Sequence, residues 1–482
     1  MKLYCLSHPY RYELEKLVTL FYPLEPITVR TALDGDAGDC LVTALEPNGD
    51  AVTATARLTV GGRVTESSGV FGKDANLERE LALLAFDLLT AARGFTPQWG
   101  ILTGVRPVKL MLQKTAEYGE EGAVRYFEDV LRVSPQKTEL ARTVAASERA
   151  QIDSVPQNAF SLYVSVPFCP SRCRYCSFVS HSVGTPAAQK LVPEYVDRLC
   201  DELQLTAAAA REAGLSLVTV YWGGGTPTTF TAAQLDRVLG VIEREFDLSA
   251  CREYTVEAGR PDTVTREKLT VLHDHGVGRI SVNPQTFSDG VLRAIGRRHT
   301  VADTERAYAL ARDVGFDVIN MDLIAGLPTD TPEGFENSVS HAVELGAENV
   351  TVHSLALKRS SALVTEHGEQ SLDFGTAPAM IKTSHRLLTA AGYAPYYLYR
   401  QSRSLGNLEN VGWCKPGAAC LYNVLMMEEP RHILAVGAGA VTKLVRGDTL
   451  ERVCNFKYPF EYNSRFALLA ERKKRINAFF SE

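Results

Sequence analysis

A chain of 482 residues is longer than one typical hydrophobic core, so two or three domains are expected. Its 51 Lys and Arg against 57 Asp and Glu give a net charge of -6, which excludes a chain-wide positive field for nucleic acid or an anionic membrane. The first residues carry charges instead of an apolar signal segment, and no apolar run reaches the roughly 18 residues of a membrane span. Because three of the ten cysteines are crowded together, we expect metal-binding thiolates in a reducing cytoplasm instead of a disulfide framework.

Residues 1–155 show a mixed pattern of strands and helices. Residues 41–60 alternate apolar and polar side chains around the turn PNGD, which predicts a β-hairpin. Residues 76–94 then carry apolar side chains at helical spacing, with Gly94 as the expected C-terminal stop. We expect a small N-terminal α+β domain, whose role the pattern does not indicate.

After about residue 156, short β-rich runs alternate with longer helical stretches. The helices include one that is entered near Pro193 and ends at Gly214, and one that begins at Thr231. Six strands with helical crossovers predict a parallel sheet, and we expect a partial or complete barrel in preference to an open doubly wound sheet. The six β-rich runs are residues 160–166, 217–222, 253–258, 279–284, 316–324 and 348–355.

Unusual side chains follow these strands where each strand ends. A cysteine loop follows the first strand, WGGGTPT follows the second, and the later strands end near polar side chains. Because the carboxyl ends of parallel strands form the working face of such folds, we expect all these groups to face one mouth. The polar side chains are Glu257, Gln285, Asp322 and His353.

Residues 371–482 form a third segment, for which we expect a C-terminal cap domain. It contains the run GNLENVGWCKPGAACLYN, the glycine-rich AVGAGAV and a basic helix with ERKKR. Cys414 and Cys420 supply too few thiolates for a second cluster, so we expect them to be buried structural cysteines. The basic residues of the last helix are expected to form a solvated face.

The stretch CPSRCRYCSF places Cys169, Cys173 and Cys176 at the spacing C-x3-C-x2-C. Three thiolates are one ligand short of a closed tetrahedral or cubane centre. A structural zinc ion could take His181 as its fourth ligand, but the position at the mouth of a sheet favours an iron–sulfur cluster with one open iron. Gly223 to Gly225 let the backbone approach a ligand closely, although a tight strand-to-helix turn also explains them.

C-x3-C-x2-C after the first strand of a βα barrel, followed by GGGTP after the second, resembles the radical S-adenosylmethionine (SAM) superfamily. The resemblance implies a [4Fe-4S] cluster with Cys169, Cys173 and Cys176 as ligands, whose open iron chelates SAM. In that family the cluster donates one electron, and C–S cleavage yields a 5'-deoxyadenosyl radical that abstracts hydrogen from the substrate. SAM would then be the missing ligand.

More of the chain, about residues 160–330, is similar to the oxygen-independent coproporphyrinogen III oxidase (dehydrogenase) branch, which includes the haem chaperones. YVSVPFC is similar to its Y-x-H-x-P-F-C entry, YWGGGTPT to its W-G-G-G-T-P-T, and VEAGRPD to its V-E-x-x-P segment. SVNPQTF and GRRH are similar to S-x-G-x-Q-S-F and G-R-x-H, and MDLIAGLP to x-D-L-I-x-G-L-P, with an echo in AVGAGAV. The match implies a partial (β/α)6 radical SAM barrel at residues 156–370, between the N-terminal domain and the cap.

The resemblance also implies roles for residues beyond the cysteines. One set would contact the cluster-bound SAM, and a second set would line a second SAM position or the substrate space that replaces it. Glu257 and Asp322 suit the ribose hydroxyls and ammonium of SAM, and Arg297 suits a carboxylate. The first set is Tyr163, Gly224, Glu257 and Val441, and the second is Tyr175, Gly225, Thr226, Gln285, Arg297 and Asp322.

The chain departs from the branch at several positions. Ser165 stands where the entry motif has His, and Phe178 stands where characterised oxidases have a further cysteine that the haem chaperones lack. The H-N-x-x-Y-W run of the chaperones is absent too. The chain therefore most resembles a third, longer subgroup that is named coproporphyrinogen dehydrogenase largely by similarity.

The implied activity is the oxygen-independent oxidative decarboxylation of coproporphyrinogen III to protoporphyrinogen IX in haem biosynthesis. Lys358, Arg359, Arg400 and Arg403 are candidate partners for the substrate carboxylates, with surface ion pairs as the alternative. The chemistry implies one or two SAM molecules and a flavodoxin or ferredoxin as reductant.

Two other functions stay open, a haem chaperone and a radical enzyme that methylates or opens haem. A tRNA-modifying enzyme is disfavoured, since no basic appended domain is evident.

Overall fold

The structure is a computed structural model that describes residues 1–23, 25–35, 38–178, 181–358, 361–367, 375–401, 403–447 and 449–481. These residues divide into two units, the first containing 1–142 and 400–408 and the second containing 143–399 and 409–482. The three-part division at residues 155 and 370 stays a prediction. Among the described residues, no helix combines the length and apolar character that crossing a bilayer requires.

The described residues of the first unit contain a five-stranded sheet. Its elements are β1 (Lys2–Leu6), α1 (Arg11–Phe21), β2 (Thr28–Arg30), β3 (Cys40–Asn48), β4 (Ala51–Val60), β5 (Arg63–Gly72), α2 (Leu77–Arg93) and α3 (Pro107–Arg125), with a π-helical turn at Tyr126–Val130. The strand order is β2-β1-β3-β4-β5, with β1 parallel to its neighbours and β3, β4 and β5 antiparallel. The predicted hairpin and helix are confirmed, and Gly94 ends α2 in the left-handed conformation that the stop requires.

The second unit contains the βα region, which follows α4 (Pro135–Asp153). Its first elements are β6 (Ala159–Val166), β7 (Phe168–Cys169), β8 (His181–Ser182), α5 (Pro186–Glu212), β9 (Ser216–Gly224), α6 (Ala232–Glu245), β10 (Glu253–Glu257), α7 (Arg266–Asp274), β11 (Arg279–Ser281), α8 (Asp289–Ala294), α9 (Val301–Val314), β12 (Val318–Ala325), α10 (Pro332–Leu345) and β13 (Asn349–Ser354). They continue with α11 (Ala362–His367), α12 (Ala377–Ala390), β14 (Ala394–Arg400), β15 (Glu409–Cys414), α13 (Leu421–Glu428), β16 (His432–Val436), β17 (Val441–Arg446), β18 (Thr449–Cys454), α14 (Pro459–Ser464) and α15 (Phe466–Ser481).

In the described part of the chain, eleven strands form one sheet, in the order β14-β15-β13-β12-β11-β10-β9-β6-β16-β17-β18. Within it β6, β9, β10, β11, β12 and β13 are parallel neighbours in chain order, and each is joined to the next through at least one helix. The predicted α/β fold is thereby confirmed, with its six parallel strands arranged as in a partial barrel. The carboxyl ends of these strands therefore lie at one edge of the sheet.

Helix α5 begins earlier than the sequence predicts. Thr185 caps it by accepting a hydrogen bond from the backbone N–H of Ala188, and Pro186 occupies the first turn, where a missing N–H removes no helical bond. Pro193 lies inside the helix, so the predicted entry near Pro193 is wrong. The buried face of this long helix compensates for the hydrogen bond that an internal proline removes.

The basic residues of α15 are not all solvated, because Lys473 is buried against α5. Its Nζ lies 2.8 Å from Oε1 of Glu202, and it also donates to the carbonyl oxygen of Ala435. Oε2 of Glu202 accepts from the hydroxyl of Tyr462 at 2.6 Å and from the backbone N–H of Gly437 at 2.7 Å. The prediction of a wholly solvated face is therefore wrong at Lys473, whose partners come from distant parts of the chain.

Replacing Lys473 by Met should lower the free energy of unfolding by about 3 kcal/mol, because Glu202 would then be a buried charge without its cation. Urea denaturation measures the change. Lys474→Met is the matched control on the same helix, since that side chain is 71% exposed, and we expect a change within about 0.5 kcal/mol. Equal losses in the two variants would contradict the assignment of Lys473 to a buried ion pair.

Candidate functional site

The three cysteines of the predicted cluster lie directly after β6. Cys169 ends β7, and Cys173 and Cys176 follow in a turn in which the backbone N–H of Cys176 donates to the carbonyl oxygen of Cys173 at 3.1 Å. Cys173 is buried, and the other two are half-buried. Burial raises the pKa of Cys176 to about 11, so this thiol stays protonated near neutral pH unless a metal stabilises the thiolate.

The glycine turn after β9 is bonded to the backbone of the cysteine segment. The N–H of Gly225 donates to the carbonyl of Val166 and the N–H of Thr226 to the carbonyl of Phe168, both at 2.7 Å. A Cβ at Gly225 would lie 2.4 Å from the carbonyl oxygen of Phe168, which only glycine avoids. The Thr226 hydroxyl lies 3.6 Å from the Sγ of Cys169. The close approach at Gly225 is therefore to the cysteine segment itself.

Glu257 ends β10, as predicted, and is half-buried there. The hydroxyl of Tyr221 donates to its Oε1 at 2.6 Å. Burial raises the pKa of Glu257 to about 7, with Asp322 adding to the shift while the Tyr221 hydrogen bond and His353 oppose it. Glu257 therefore changes its charge close to neutral pH.

Asp322 lies within β12, and its pKa shifts downward, in the direction opposite to that of Glu257. Its Oδ1 accepts from the side-chain amide of Asn320 at 2.8 Å and lies 3.8 Å from Nε2 of His353. Burial acts to raise the pKa of Asp322, but His353, Asn320 and Arg297 together outweigh it and leave the pKa below its ordinary value. The mouth therefore holds one carboxylate that stays ionised and one carboxyl, Glu257, that titrates near neutrality.

Gln285 lies four residues beyond β11 and is held against β12. Its backbone N–H donates to the carbonyl oxygen of Asp322 at 2.8 Å, and its own carbonyl accepts from the N–H of Ile324 at 3.0 Å. Its φ is +68°, a conformation that L-residues rarely adopt and that these two bonds fix. The structure therefore brings Gln285 to Asp322, as the sequence predicts.

Arg297 is buried beside the cysteine loop, which excludes the alternative of a surface ion pair. Its Nη1 donates to the carbonyl oxygen of Asn283 at 2.8 Å and its Nη2 lies 3.1 Å from the hydroxyl of Tyr175. Burial acts to lower the pKa of Arg297, but Tyr175 and Cys173 raise it, and the net shift is upward. Arg297, Tyr175 and Cys173 thus form one contiguous group.

The loop of AVGAGAV reaches the same edge because β16 pairs in parallel with β6. The Ser165 hydroxyl donates to the carbonyl oxygen of Ala438 at 2.8 Å, and the Tyr195 hydroxyl bridges the two segments. Ser165, which stands where the branch motif has His, therefore ties this loop to the first strand. Val441 itself begins β17, opposite Cys454.

Tyr163 and Gly224 complete the set predicted to contact SAM. Tyr163 stacks with Tyr221 and with Tyr422, at ring-centroid distances of 6.4 and 6.1 Å, and burial raises the pKa of its hydroxyl. Gly224 ends β9 with a φ of +100°, which favours glycine. Tyr422 comes from the run GNLENVGWCKPGAACLYN, and the sequence reasoning missed it because a tyrosine in an irregular run carries no periodic signal.

Cys414 and Cys420 are buried, as predicted. The Sγ of Cys420 lies 3.2 Å from Oε1 of Glu253, at the amino end of β10, whereas Glu257 ends that strand. Burial raises the pKa of both thiols above the ordinary value. They are therefore structural cysteines at the opposite edge from the cysteine loop.

Arg260 is the main group that the sequence reasoning missed. It is buried, its Nη1 lies 3.6 Å from the Sγ of Cys173, and it forms an ion pair with Asp262. The segment VEAGRPD matches the Val, Glu and Pro of the branch pattern, but it has one residue more between Glu and Pro than V-E-x-x-P. The available signal was an arginine immediately before the proline of a loop at the predicted mouth.

The structure describes only some of the cations that are predicted to bind substrate carboxylates. Arg400 is buried in the first unit, where its guanidinium donates to the carbonyl oxygens of Leu102 and Gly104. Because the side chain is buried and backbone oxygens hold it, the alternative of a surface ion pair is wrong for Arg400, and its role toward a substrate carboxylate stays a prediction. Arg359 lies outside the described residues, and Lys358 and Arg403 stay predictions.

The donor set fits a cluster better than a single metal ion. Within the described ranges, no three His, Cys, Asp or Glu side chains lie close enough together to hold one ion. A cubane binds each thiolate at a different iron, so its ligands lie farther apart. Three soft thiols, with N–H and O–H donors from Arg260 and Thr226 directed at two of them, suit such a cluster.

Comparisons with known proteins agree with this fold. Residues 163–342 match the model of the radical SAM superfamily. The chain is 35% identical to the oxygen-independent coproporphyrinogen-III oxidase-like protein HemZ of Bacillus subtilis (strain 168), over 95% of this chain and 94% of that protein. It is 37% identical to the heme chaperone HemW of the same organism, over 41% of this chain and 51% of that protein.

The solved structure of coproporphyrinogen III oxidase (HemN) from Escherichia coli, described as a radical SAM enzyme, has a similar fold. The TM-score is 0.53 at 24% identity, over 68% of this chain and 73% of that one. A parallel α/β sheet with a three-cysteine loop at its carboxyl edge is the architecture of radical SAM proteins. The chain belongs to this superfamily, and within it to the oxygen-independent coproporphyrinogen III oxidase-like proteins. Its cofactors are accordingly a [4Fe-4S] cluster and SAM, as the sequence predicts.

Gly225→Ala should reduce the iron content of the anaerobically reconstituted protein several-fold, because the added Cβ displaces the cysteine segment. Iron and sulfide assays per chain measure the effect. The matched control is Gly240→Ala inside α6, where an added Cβ meets no heavy atom within 4 Å. Full cluster content in Gly225→Ala would show that the turn tolerates a side chain and does not fix the loop.

Glu257→Gln should remove a pH dependence of stability from the cluster-free protein. The folded chain binds this proton more tightly than the unfolded chain, so the stabilisation is full below the ordinary pKa of 4.5 and is lost as the pH rises through about 7. Relative to Glu257→Gln, the wild-type free energy of unfolding should fall by about 3 kcal/mol over that window, measured by urea denaturation. Glu471→Gln, at a 65% exposed site, should follow the wild type. A constant difference between wild type and Glu257→Gln would contradict the raised pKa.

Proposed function

We propose that this protein is a radical SAM oxidoreductase that converts coproporphyrinogen III to protoporphyrinogen IX by oxygen-independent oxidative decarboxylation. The observation that carries the proposal is the convergence of the cysteine loop, the glycine turn and the Glu257–Asp322 pair at one edge of the sheet. The similarity to an oxidase-like protein over 95% of this chain supports the substrate class. A flavodoxin or ferredoxin supplies the electron in this proposal.

Cys169, Cys173 and Cys176 are the proposed cluster ligands. When bound, the cluster supplies one electron to SAM, whose cleavage provides the radical that removes hydrogen from the substrate. The chain's own part is to hold the thiolates and keep water away from them. Thr226 donates to the sulfur of Cys169, and the enclosed position of Cys173 keeps that sulfur dry.

The pKa values of Glu257 and Asp322 shift in opposite directions, which suits the two kinds of contact that SAM offers. Asp322 stays ionised and is the proposed partner of a cation or of hydroxyl donors. Glu257, with a pKa of about 7 and a hydrogen bond from Tyr221, accepts from a ribose hydroxyl in its ionised form. SAM should therefore bind more tightly at a pH high enough to ionise Glu257.

The remaining predicted contacts fall into two groups in this proposal. One group contacts the SAM that is bound at the cluster, and the other lines a second SAM position or the substrate space. The pairing of Arg297 with Tyr175 makes a buried cation available to a carboxylate. The first group is Tyr163, Gly224, Glu257 and Val441, and the second is Tyr175, Gly225, Thr226, Gln285, Arg297 and Asp322.

A haem chaperone is the second candidate function, and one feature favours it. Phe178 is 70% exposed and stands where the characterised oxidases carry a further cysteine. The 37% identity to a heme chaperone over 199 residues adds support. In this alternative the same fold and cluster would serve haem transfer in place of porphyrinogen oxidation. A third alternative, the methylation or ring opening of haem, would keep the radical chemistry and change the substrate.

The deciding experiment is anaerobic incubation of the reconstituted protein with SAM, dithionite and coproporphyrinogen III, followed by mass spectrometry. The proposal predicts a product that lacks two carboxyl groups, formed together with 5'-deoxyadenosine. Cys173→Ala should abolish both products because the cluster loses a ligand. Cys251→Ala, at a half-buried cysteine before the amino end of β10, should retain them.

Other outcomes separate the alternatives. SAM cleavage without porphyrinogen conversion would support the radical chemistry and indicate haem, in place of coproporphyrinogen III, as the substrate. Stoichiometric haem binding without either product would favour the chaperone. A complete cluster in Cys173→Ala would show that the proposed ligand set is wrong.

A further inference from the structure

Arg260 is buried directly against the cysteine loop. Its side chain is 4% exposed, and its Nη1 lies 3.6 Å from the Sγ of Cys173. The same guanidinium donates to the carbonyl and hydroxyl oxygens of Ser171, at 3.1 and 3.0 Å. It also forms a two-pronged contact with the carboxylate of Asp262, at 3.0 and 3.1 Å. Arg260 therefore contacts both the backbone of the loop and one of its thiols.

Two buried cations and one partly exposed carboxylate adjoin Cys173 or Arg260, and together they give a positive field. Arg260 and Arg297 are both cations, and Asp262 is the anion that pairs with Arg260. The ring of His299 lies 3.9 Å from Asp262, but burial and the two guanidinium groups lower its pKa to about 4, so it is neutral at pH 7. Two positive charges on buried side chains thus oppose one negative charge that is partly exposed to water.

We propose that Arg260 raises the reduction potential of the [4Fe-4S] cluster by donating a hydrogen bond to the thiolate of Cys173 and placing a positive charge beside it. Reduction by one electron makes the cluster more negative, so a neighbouring cation and an N–H···S bond stabilise the reduced form more than the oxidised form. The low dielectric of a buried site strengthens both effects. Arg260 thereby makes the cluster reducible by a milder electron donor.

This inference rests on the proposed cysteine ligands and adds a residue to them. Arg260 touches the ligand sulfur and is not expected to touch substrate, so it is a tuning and positioning residue. Its contacts to Ser171 hold the loop in place, and a role confined to that contact would change cluster content without changing the potential of the cluster that remains. The potential is therefore the measurement that separates the two roles.

The test is a redox titration of the anaerobically reconstituted full chain, monitored by electron paramagnetic resonance, with iron and sulfide counted per chain. Arg260→Gln removes the charge and should shift the midpoint potential to a more negative value. Arg260→Lys retains the charge and should stay closer to the wild type. Arg252→Gln is the matched control, because Arg252 is an exposed arginine before the amino end of β10, where it bonds to Ser154.

Each outcome decides the proposal. An unchanged potential in Arg260→Gln with full cluster content overturns it. If Arg260→Gln holds no cluster, Asp262→Asn takes its place, since it keeps the arginine and removes the neutralising carboxylate. The proposal then requires a more positive potential, and an unchanged or more negative one overturns it. A complete cluster in Cys173→Ala would instead defeat the ligand assignment, whatever the Arg260 variants show.

Discussion

Two backbone hydrogen bonds between the glycine turn and the cysteine segment hold the site together. They form because β6 and β9 pair in parallel with Val166 opposite Gly224, so the chain leaves both strands at the same level. The bonds from Gly225 and Thr226 then fix the segment that leads into Cys169, before any side chain contributes. Glycine is required there because a carbonyl oxygen occupies the place of a Cβ.

The same geometry explains why groups far apart in the sequence meet. The further parallel strands and their loops bring side chains to the carboxyl edge, where Glu257 and Asp322 are half-buried and Arg297 is buried. Burial separates the pKa values of the two carboxyl groups because only Asp322 has enough favourable partners to remain charged. On the other side of β6, β16 adds a loop that Ser165 anchors. The edge is therefore assembled from both ends of the sheet.

Much of this arrangement could be predicted from the sequence, since it depends on local signals. Apolar runs located the six parallel strands, and the rule that parallel strands work at their carboxyl ends located Glu257 and Asp322. The features that were missed depend on packing between distant segments. Lys473 reads as one of several surface charges until α15 lies against Glu202, and Arg260 has no spacing pattern that links it to Cys173. Pro193 misled in the opposite way, because proline often marks a helix start but also occurs inside long helices with a buried face.

The anchoring of Gly437 by Glu202 and Lys473 bears on how the protein matures. The cysteine loop is synthesised long before α15, yet the loop that Ser165 bonds is held by a cation on that late helix. During translation, the cysteines therefore emerge into a mouth that is still open on the side of β16. Docking of α15 anchors the loop after β16 through Lys473 and Glu202, so the edge beside the cysteines is complete only when the end of the chain has folded. Cluster insertion therefore meets an unanchored neighbouring loop before α15 docks and an anchored one afterwards.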